Sequence, residues 1–580
     1  MLKSYLLKYK ILIVLSFMLV LLQVWATLYQ PSLISDIIIA LQEVDEFGNT
    51  TINHEAINKS GILMIIVGLI GLIAGVFNTF IAANISQKIG ANIREDGFIK
   101  IQTFSFQDVD KFSTAHLIVR LTNDVTQVQN LLMMGFQMLI RVPFLFIGAF
   151  IMAIISFPQL WWTLIIFVVV VSVILKISMK LMIPKFEKIQ IQNDHVNTVV
   201  KENMDGIRVI KSLVTEEKET EKYNLHVDEL TKNLIGSGRI FSFMIPSFNL
   251  VANLITATAI FLVADWAIDD PELIGKLVSY TTYIMQIMFA IVMGGFIMMQ
   301  ASRAVVSLKR INEIFTTEPS IKYGEQELET IDTIEFNNVD FKYNSSKDLI
   351  LKNISFKIKK GEKIGIIGRT GSGKSTLIQL LPRLFDSSSG NINVNGIDIT
   401  QYTKHSLNSK IALTLQKPII FSGSFNENIL QGDNNATAEE VELASRQSQA
   451  FEFIDKKPYK FNGTILQKGM NLSGGQKQRL SISRSLVSKP ELLILDDSTS
   501  ALDAHSENLV KKALNEELSN LTTIIVAQKI SSIVDMNKII VMNDGMIDSI
   551  GSHAELLKTC DIYKEIFETQ KDKRGDINEK

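Results

Sequence analysis

Six apolar stretches crowd the first 330 residues, at about 11–40, 61–84, 133–156, 159–182, 243–268 and 274–300. Each approaches or exceeds the ~20 residues that carry a helix across a bilayer. Backbone N–H and C=O groups cannot be left unpaired in hydrocarbon, so such runs read as transmembrane helices. The 159–182 run has Trp161 and Trp162 at one edge and Lys176 and Lys180 towards the other. The tryptophans suit the interface, and the lysines can snorkel. The run beginning at Ile11 is too long for a signal-peptide core and lacks a clear A-x-A site, which predicts a retained span.

Charge orders these spans. Lys3, Lys8 and Lys10 precede the first, placing the N-terminus inside. The loop with Glu43, Asp45, Glu46 and Glu55 is acidic and predicted outside. Residues 85–132 carry Lys88, Arg94, Lys100, Lys111 and Arg120, and residues 183–242 are lysine-rich, so both are predicted inside. Phe157-Pro158-Gln159 and Asp269-Asp270-Pro271-Glu272 make short outer turns, and Arg303, Lys309 and Arg310 return the chain inside. The long inner loops lack turn signals and read as helices continuing out of the membrane. Phe104 to Phe112 and Asp205 to Leu213 lie at their far ends as candidate contact points.

Two features within the spans have two readings each. Arg141, one turn after Gln137, either faces a cavity or partner inside the membrane or lies at the interface. Met285, Met288, Met293, Met298 and Met299 in the sixth span either adapt to varied apolar ligands or are ordinary packing. A net charge of −2 gives no case for nucleic acid, and the single cysteine, Cys560, excludes an internal disulfide.

Near Glu325 the composition changes to that of a soluble α/β domain. Lys363 to Ile367 reads as a buried strand and Leu377 to Leu381 as a helix. Between them lies Gly368-Arg369-Thr370-Gly371-Ser372-Gly373-Lys374-Ser375-Thr376, which fits the phosphate-binding pattern G-x-x-x-x-G-K-[ST] in its required strand–loop–helix context. Its glycines let backbone N–H groups turn towards phosphates at a helix N-terminus. Lys374 is placed to reach the β- and γ-phosphates, and Ser375 to hold Mg²⁺. Further on, Leu492 to Leu495 reads as a buried parallel strand that delivers Asp496 and Asp497 beside this loop, with Asp496 on the Mg²⁺ shell.

The order of the remaining motifs resembles that of the ATP-binding cassette (ABC) proteins. Leu472-Ser473-Gly474-Gly475-Gln476 is similar to their signature. The resemblance spans essentially the whole chain and looks like an exporter half-transporter. It implies an all-α six-helix transmembrane domain over residues 1–320 and an α/β, RecA-like nucleotide-binding domain over residues 325–580. It also implies that Tyr343 stacks on adenine and that Gln416 touches Mg²⁺ and the attacking water. The signature would close on ATP held by the other subunit. Ser500 to Asp503 would form the D-loop, and Phe104 to Phe112 and Asp205 to Leu213 the coupling helices. ATP and Mg²⁺ are the implied cofactors.

Two positions depart from the family pattern. Asp497 stands where the family has Glu, and Gln528 where it has His. A general base needs a reach of ~2.6–3.2 Å, which one missing methylene can forfeit. Gln can hydrogen-bond a γ-phosphate but cannot become cationic. The pair implies slow or absent hydrolysis at the chain's own site, while the intact signature implies a partner with a competent one. The expectation is therefore one half of a heterodimeric exporter of hydrophobic or amphipathic compounds in the cytoplasmic membrane, with both termini and the cassette cytoplasmic. The alternatives are a homodimeric exporter or lipid flippase, a nucleotide-gated regulatory membrane subunit, and a soluble ABC ATPase, which the six spans oppose.

Overall fold

The computed structural model describes residues 1–580 except 42, 45–49, 271, 345, 499–501, 503 and 576–580. The chain divides into two units. The first comprises Met1–Lys100 and Ala115–Thr317, and the second Ile101–Thr114 and Glu318–Lys580.

The first unit is helical. Among the described residues, six passages are long and apolar enough to cross a membrane: Lys10–Leu41, His54–Gln102, Thr114–Ser156, Pro158–Asp205, Glu216–Ile268 and Glu272–Thr316. All six predicted runs fall within them. Each passage other than the first overshoots its apolar run, because the backbone continues to bond i→i−4 through the charged residues beyond it, and Pro184 past the fourth run is accommodated inside its helix. Between 11% and 28% of each apolar window is buried within the chain, which leaves apolar side chains of every span available for lipid contact.

Polar groups join the helices inside this unit. Tyr283 Oη donates to the Leu28 carbonyl at 2.9 Å, and Ser16 Oγ to Asn78 Oδ1 at 2.6 Å. The third passage is interrupted by π-helical turns at Arg120–Asp124 and Gly135–Leu139. Arg141 follows the second of these, and its Nε is buried with no hydrogen-bond partner among the described residues. Of the sixth-span methionines, Met288 packs into the apolar core and Met285 and Met298 are exposed. The side chain of Met299 lies outside the described residues.

The inner loops are helical, with short breaks at their far ends. Ser105 caps the helix Phe106–Phe112 through a capping box with Asp108. Ile207–Leu213 forms a second short helix after Gly206 and has no buried residue.

The second unit is layered around a six-stranded sheet. Its order is Met546–Gly551, Lys538–Asn543, Lys363–Gly368, Thr522–Val526, Leu492–Asp496 and Ile411–Thr414, all parallel except the antiparallel outermost pair. A separate antiparallel sheet contains Thr333–Phe341, Leu351–Lys359, Ser389–Val394 and Ile397–Asp398. Apolar side chains on the two faces of the parallel strands feed two cores. Ile364 and Ile366 enter one, which includes Phe336 and Leu377, and Leu493 and Leu495 enter the other, which includes Leu480 and Val510. That alternation explains why these strands read as continuous apolar runs.

Candidate functional site

The parallel strands end nearly flush. Leu495 pairs with Thr414, Asp496 with Val526, and Val526 with Ile366. Residues just past those ends therefore meet in one crevice, where open α/β sheets place their ligands. Gln416 lies two residues past Thr414, Asp497 one past Asp496, and Gln528 two past Val526. A cavity of about 300 Å³ opens there, lined among others by Gly371, Lys374, Ser375, Gln416, Asp497 and Gln528.

The Gly368–Thr376 loop joins its strand to the helix Lys374–Gln379. Gly371 and Gly373 have φ of 84° and 91°, which side-chain-bearing residues rarely adopt. A Cβ on Gly368 would stand 2.2 Å from the Met542 carbonyl oxygen. Lys374 Nζ donates to the carbonyls of Gly368 and Arg369 at 2.9 and 2.8 Å. Burial pushes its pKa down, against the pull of Asp496 and Asp497.

Ser375 Oγ donates to Asp496 Oδ1 over 3.1 Å. Burial, with the neighbouring Asp497 charge, raises the Asp496 carboxyl above the usual range, while Ser375 and Lys374 oppose the rise. A carboxylate and a hydroxyl side by side form the small oxygen donor set that Mg²⁺ uses together with phosphates. Among the described residues no cluster of three metal-binding side chains exists, so a metal here would need ligands from the nucleotide and water.

Asp497 is 8% exposed and has a φ of 46°. Its Oδ2 accepts from Gln528 Nε2 at 2.8 Å and from Gln416 Nε2 at 3.3 Å. Three residues singled out from sequence thus form one polar cluster. Tyr343 is half-buried, and its hydroxyl lies 3.0 Å from Thr376 Oγ1 on the phosphate-loop helix.

The signature stands at the start of the helix Gly474–Val487. Leu472 is buried in the core and Ser473 is exposed. Ser473 Oγ accepts from Gln476 N at 3.3 Å, and Gln476 Oε1 accepts from Ser473 N at 3.0 Å, which closes a capping box. Asp503 lies outside the described residues, as do Ser500 and Ala501.

The C-terminal helix Asp561–Gly575 supplies partners that sequence reasoning missed. Gln570 Oε1 accepts from Ile530 N at 2.9 Å, and its Nε2 donates to the Gln528 carbonyl at 2.8 Å. Glu565 takes Arg369 in both carboxylate oxygens, at 3.0 and 2.8 Å. One helix thus braces the phosphate loop and the loop bearing Gln528. No local pattern announces such contacts, since the partners are 196 and 40 positions apart.

Comparison with known proteins gives two family matches, the ABC transporter transmembrane region over residues 13–291 and the ABC transporter domain over residues 351–500. The ABC transporter ATP-binding protein YfiB of Bacillus subtilis is 33% identical over 577 residues, covering 99% of this chain and 98% of its own length. YknU of the same organism is 32% identical over 482 residues, covering 82% of each chain. A bacterial Atm1-family ABC exporter solved with ATP bound superposes with a TM-score of 0.81 at 22% identity, covering 97% of this chain and 98% of its own.

Proposed function

The chain belongs to the ABC transporters, whose ATPase drives transport, and we propose that it is one subunit of a heterodimeric exporter. On this reading its own nucleotide site binds ATP and cleaves it poorly. The observation that carries the reading is the contact of Gln528 with Asp497. An ionised carboxylate only accepts, so both Gln528 and Gln416 turn their NH₂ groups towards Asp497. One of the two Gln528 N–H donors is then spent on Asp497 and not on a γ-phosphate. Asp497, already a methylene short, accepts from two amides at Oδ2.

The other residues take complementary roles. Backbone N–H groups of Arg369, Thr370, Gly371, Ser372 and Gly373, with Thr376 beyond, cradle phosphate, and Lys374 neutralises it. Tyr343 stacks on adenine. Ser375, Asp496 and Gln416 hold Mg²⁺, which when bound offsets charge developing on the transferred phosphoryl group. Ser473 uses a lone pair on Gln476 N and keeps its own proton to donate outward, towards ATP held on a partner's loop. Gly474 and Gly475 permit close backbone approach there. An intact signature beside an impaired carboxylate favours a partner that differs from this chain.

The cassette and both termini lie in the cytoplasm on this reading, with the spans in the cytoplasmic membrane. The bare helix Ile207–Leu213, with Val209 59% and Leu213 66% exposed, suits contact with a second subunit. On this reading the cargo is hydrophobic or amphipathic. Affinity purification of the tagged chain from its native membrane tests the assembly. A second, different half-transporter in equal amount is expected, and recovery of this chain alone as a dimer rejects the heterodimer.

A further inference from the structure

The long helices Trp161–Asp205 and Glu216–Asp269 pack side by side, and beyond their apolar stretches polar side chains meet across the pair. Gln192 Nε2 donates to Glu229 Oε2. Further along, Lys222 Nζ stands 3.1 Å from Glu202 Oε2, and Asn203 Nδ2 donates to Glu219 Oε2 at 3.1 Å. Between these ties His195 and His226 face each other, with ring centres 5.2 Å apart and planes inclined by 18°. His195 comes three residues after Gln192 and His226 three before Glu229, so the imidazole pair stands one turn from the amide–carboxylate pair on both helices.

His195 is exposed and His226 half-buried, so solvent reaches the pair and neither ring fills an apolar core. An imidazole binds Zn²⁺ through a ring nitrogen at ~2.0–2.1 Å, and two of them on one tetrahedral ion have ring centres roughly 5 Å apart. The observed spacing matches that separation. The helices therefore already stand at the right distance, held there by the ties on either side, and the rings need only turn about their own side-chain bonds. Gln192 Oε1 is buried with no partner among the described residues. It is an acceptor one turn from the rings, to which a water on the ion can donate. Among the described residues no group of three His, Cys, Asp or Glu side chains is placed to hold a metal. Water therefore completes the coordination, which leaves the site open to solvent and the ion exchangeable.

We propose that His195 and His226 form a two-imidazole site for Zn²⁺ that staples Trp161–Asp205 to Glu216–Asp269. Imidazole suits Zn²⁺, whereas Mg²⁺ prefers oxygen ligands, so the Mg²⁺ that accompanies a nucleotide does not compete here. His195 lies ten residues before the end of its helix, about 15 Å at 1.5 Å per residue. The ion therefore stiffens the hairpin that carries the short helix Ile207–Leu213, and the supply of Zn²⁺ sets how freely the two helices move against each other. The site is independent of the nucleotide crevice and of which subunit the chain pairs with.

Zn²⁺ titration of the full-length chain in nanodiscs tests this, in competition with a fluorescent chelator, without nucleotide and with a tag that contains no histidine. His195→Ala and His226→Ala should each weaken binding at one site by at least ~10²-fold, since even an outer partner of a metal ligand is worth 10–100-fold. Co²⁺ should give the visible absorption of a tetrahedral ion in the native chain and lose it in both variants. Zn²⁺ should slow amide exchange over residues 190–230 in the native chain and in neither variant. Both substitutions fall at positions outside the buried core, so the variants keep the fold. Equal Zn²⁺ affinity in the native chain and both variants, loss in only one of them, or slowed exchange that survives them overturns the site.

Discussion

The Gln528 amide reaches the Asp497 carboxylate over 2.8 Å, so the two residues that depart from the family pattern are bonded to each other. Their effects should therefore couple. Asp497→Glu alone leaves Gln528 to hold a longer carboxylate, and Gln528→His alone faces a base that is still short. The double variant should raise own-site turnover by ~10²-fold or more, the worth of a positioned general base, with each single change giving much less. The assay uses the pair with Ser473→Ala added in this chain, which on the heterodimer reading silences the partner-held ATP. Additive singles would break the link between the two residues.

The reciprocal experiment separates this chain's two contributions. If this chain holds the weak site of a heterodimer, Asp497→Asn should change turnover of the pair little, because the side chains are nearly isosteric and the carboxylate would not be the working base. Ser473→Ala should lower turnover by ~10²–10³, the usual loss of one donor to a developing oxyanion. Steady-state ATPase of both variants decides. A dead Asp497→Asn beside a normal Ser473→Ala would exchange the roles of the two sites.

Gln570 bonds both sides of the Gln528 loop and has no candidate role in chemistry. Gln570→Ala removes two hydrogen bonds worth about 0.5–1.5 kcal/mol each. Exchange of amides 527–532 should quicken accordingly. Gln570→Glu keeps the acceptor for Ile530 N, loses the donor to Gln528 O, and should fall between. Unchanged exchange in Gln570→Ala would remove the brace.

The spans and the phosphate loop were legible because each is written locally. An apolar run of bilayer length or a glycine spacing after a strand needs no knowledge of what packs against it. Helix ends were less legible: the run at 61–84 belongs to the helix His54–Gln102, whose charged remainder looks like any solvated loop. The departures at Asp497 and Gln528 could be read in sequence, but their bond could not, since it depends on the register that aligns Asp496 with Val526. Glu565 and Gln570 escaped notice because their partners are far away along the chain and their residue types carry no signal alone.

Burial raises the Asp496 carboxyl, so protons should compete with Mg²⁺ there at a higher pH than at an ordinary aspartate. The sign is direct: the metal needs the ionised form, and a raised pKa extends the protonated form upward in pH. Mg²⁺ affinity of the ATP-loaded chain, titrated on lowering pH, should fall before that of a solvent-exposed Asp site. Asp496→Asn should weaken affinity and flatten the pH dependence together. An unchanged pH profile in that variant would assign the metal elsewhere.

Sidedness needs exposed positions. Cys560 is 2% exposed and donates its thiol to Asp548, so its failure to react would report burial and not location. Asp45 lies outside the described residues. In a Cys560→Ser background, Glu55→Cys, exposed at the start of His54–Gln102, should be labelled on intact cells by an impermeant thiol reagent. Glu217→Cys, exposed at the start of Glu216–Asp269, should be labelled only after permeabilisation. The reverse pattern would invert the topology.

The length of the helices has a mechanical consequence. Glu216–Asp269 runs for 54 residues, about 80 Å at 1.5 Å per residue, against a hydrocarbon core of ~30 Å. A rod held in the bilayer with a long arm beyond it is a lever: tilting it by about 5° swings a tip some 40 Å from the pivot through roughly 3.5 Å, about two-thirds of the ~5.4 Å rise of one helical turn. Pro184 and Pro246 interrupt the backbone bonding of the packed pair Trp161–Asp205 and Glu216–Asp269, giving each arm a weak point where it can flex. The gearing is set by where along each arm that flexure falls, so moving either proline by one helical turn would change the stroke without touching any residue that meets nucleotide or cargo.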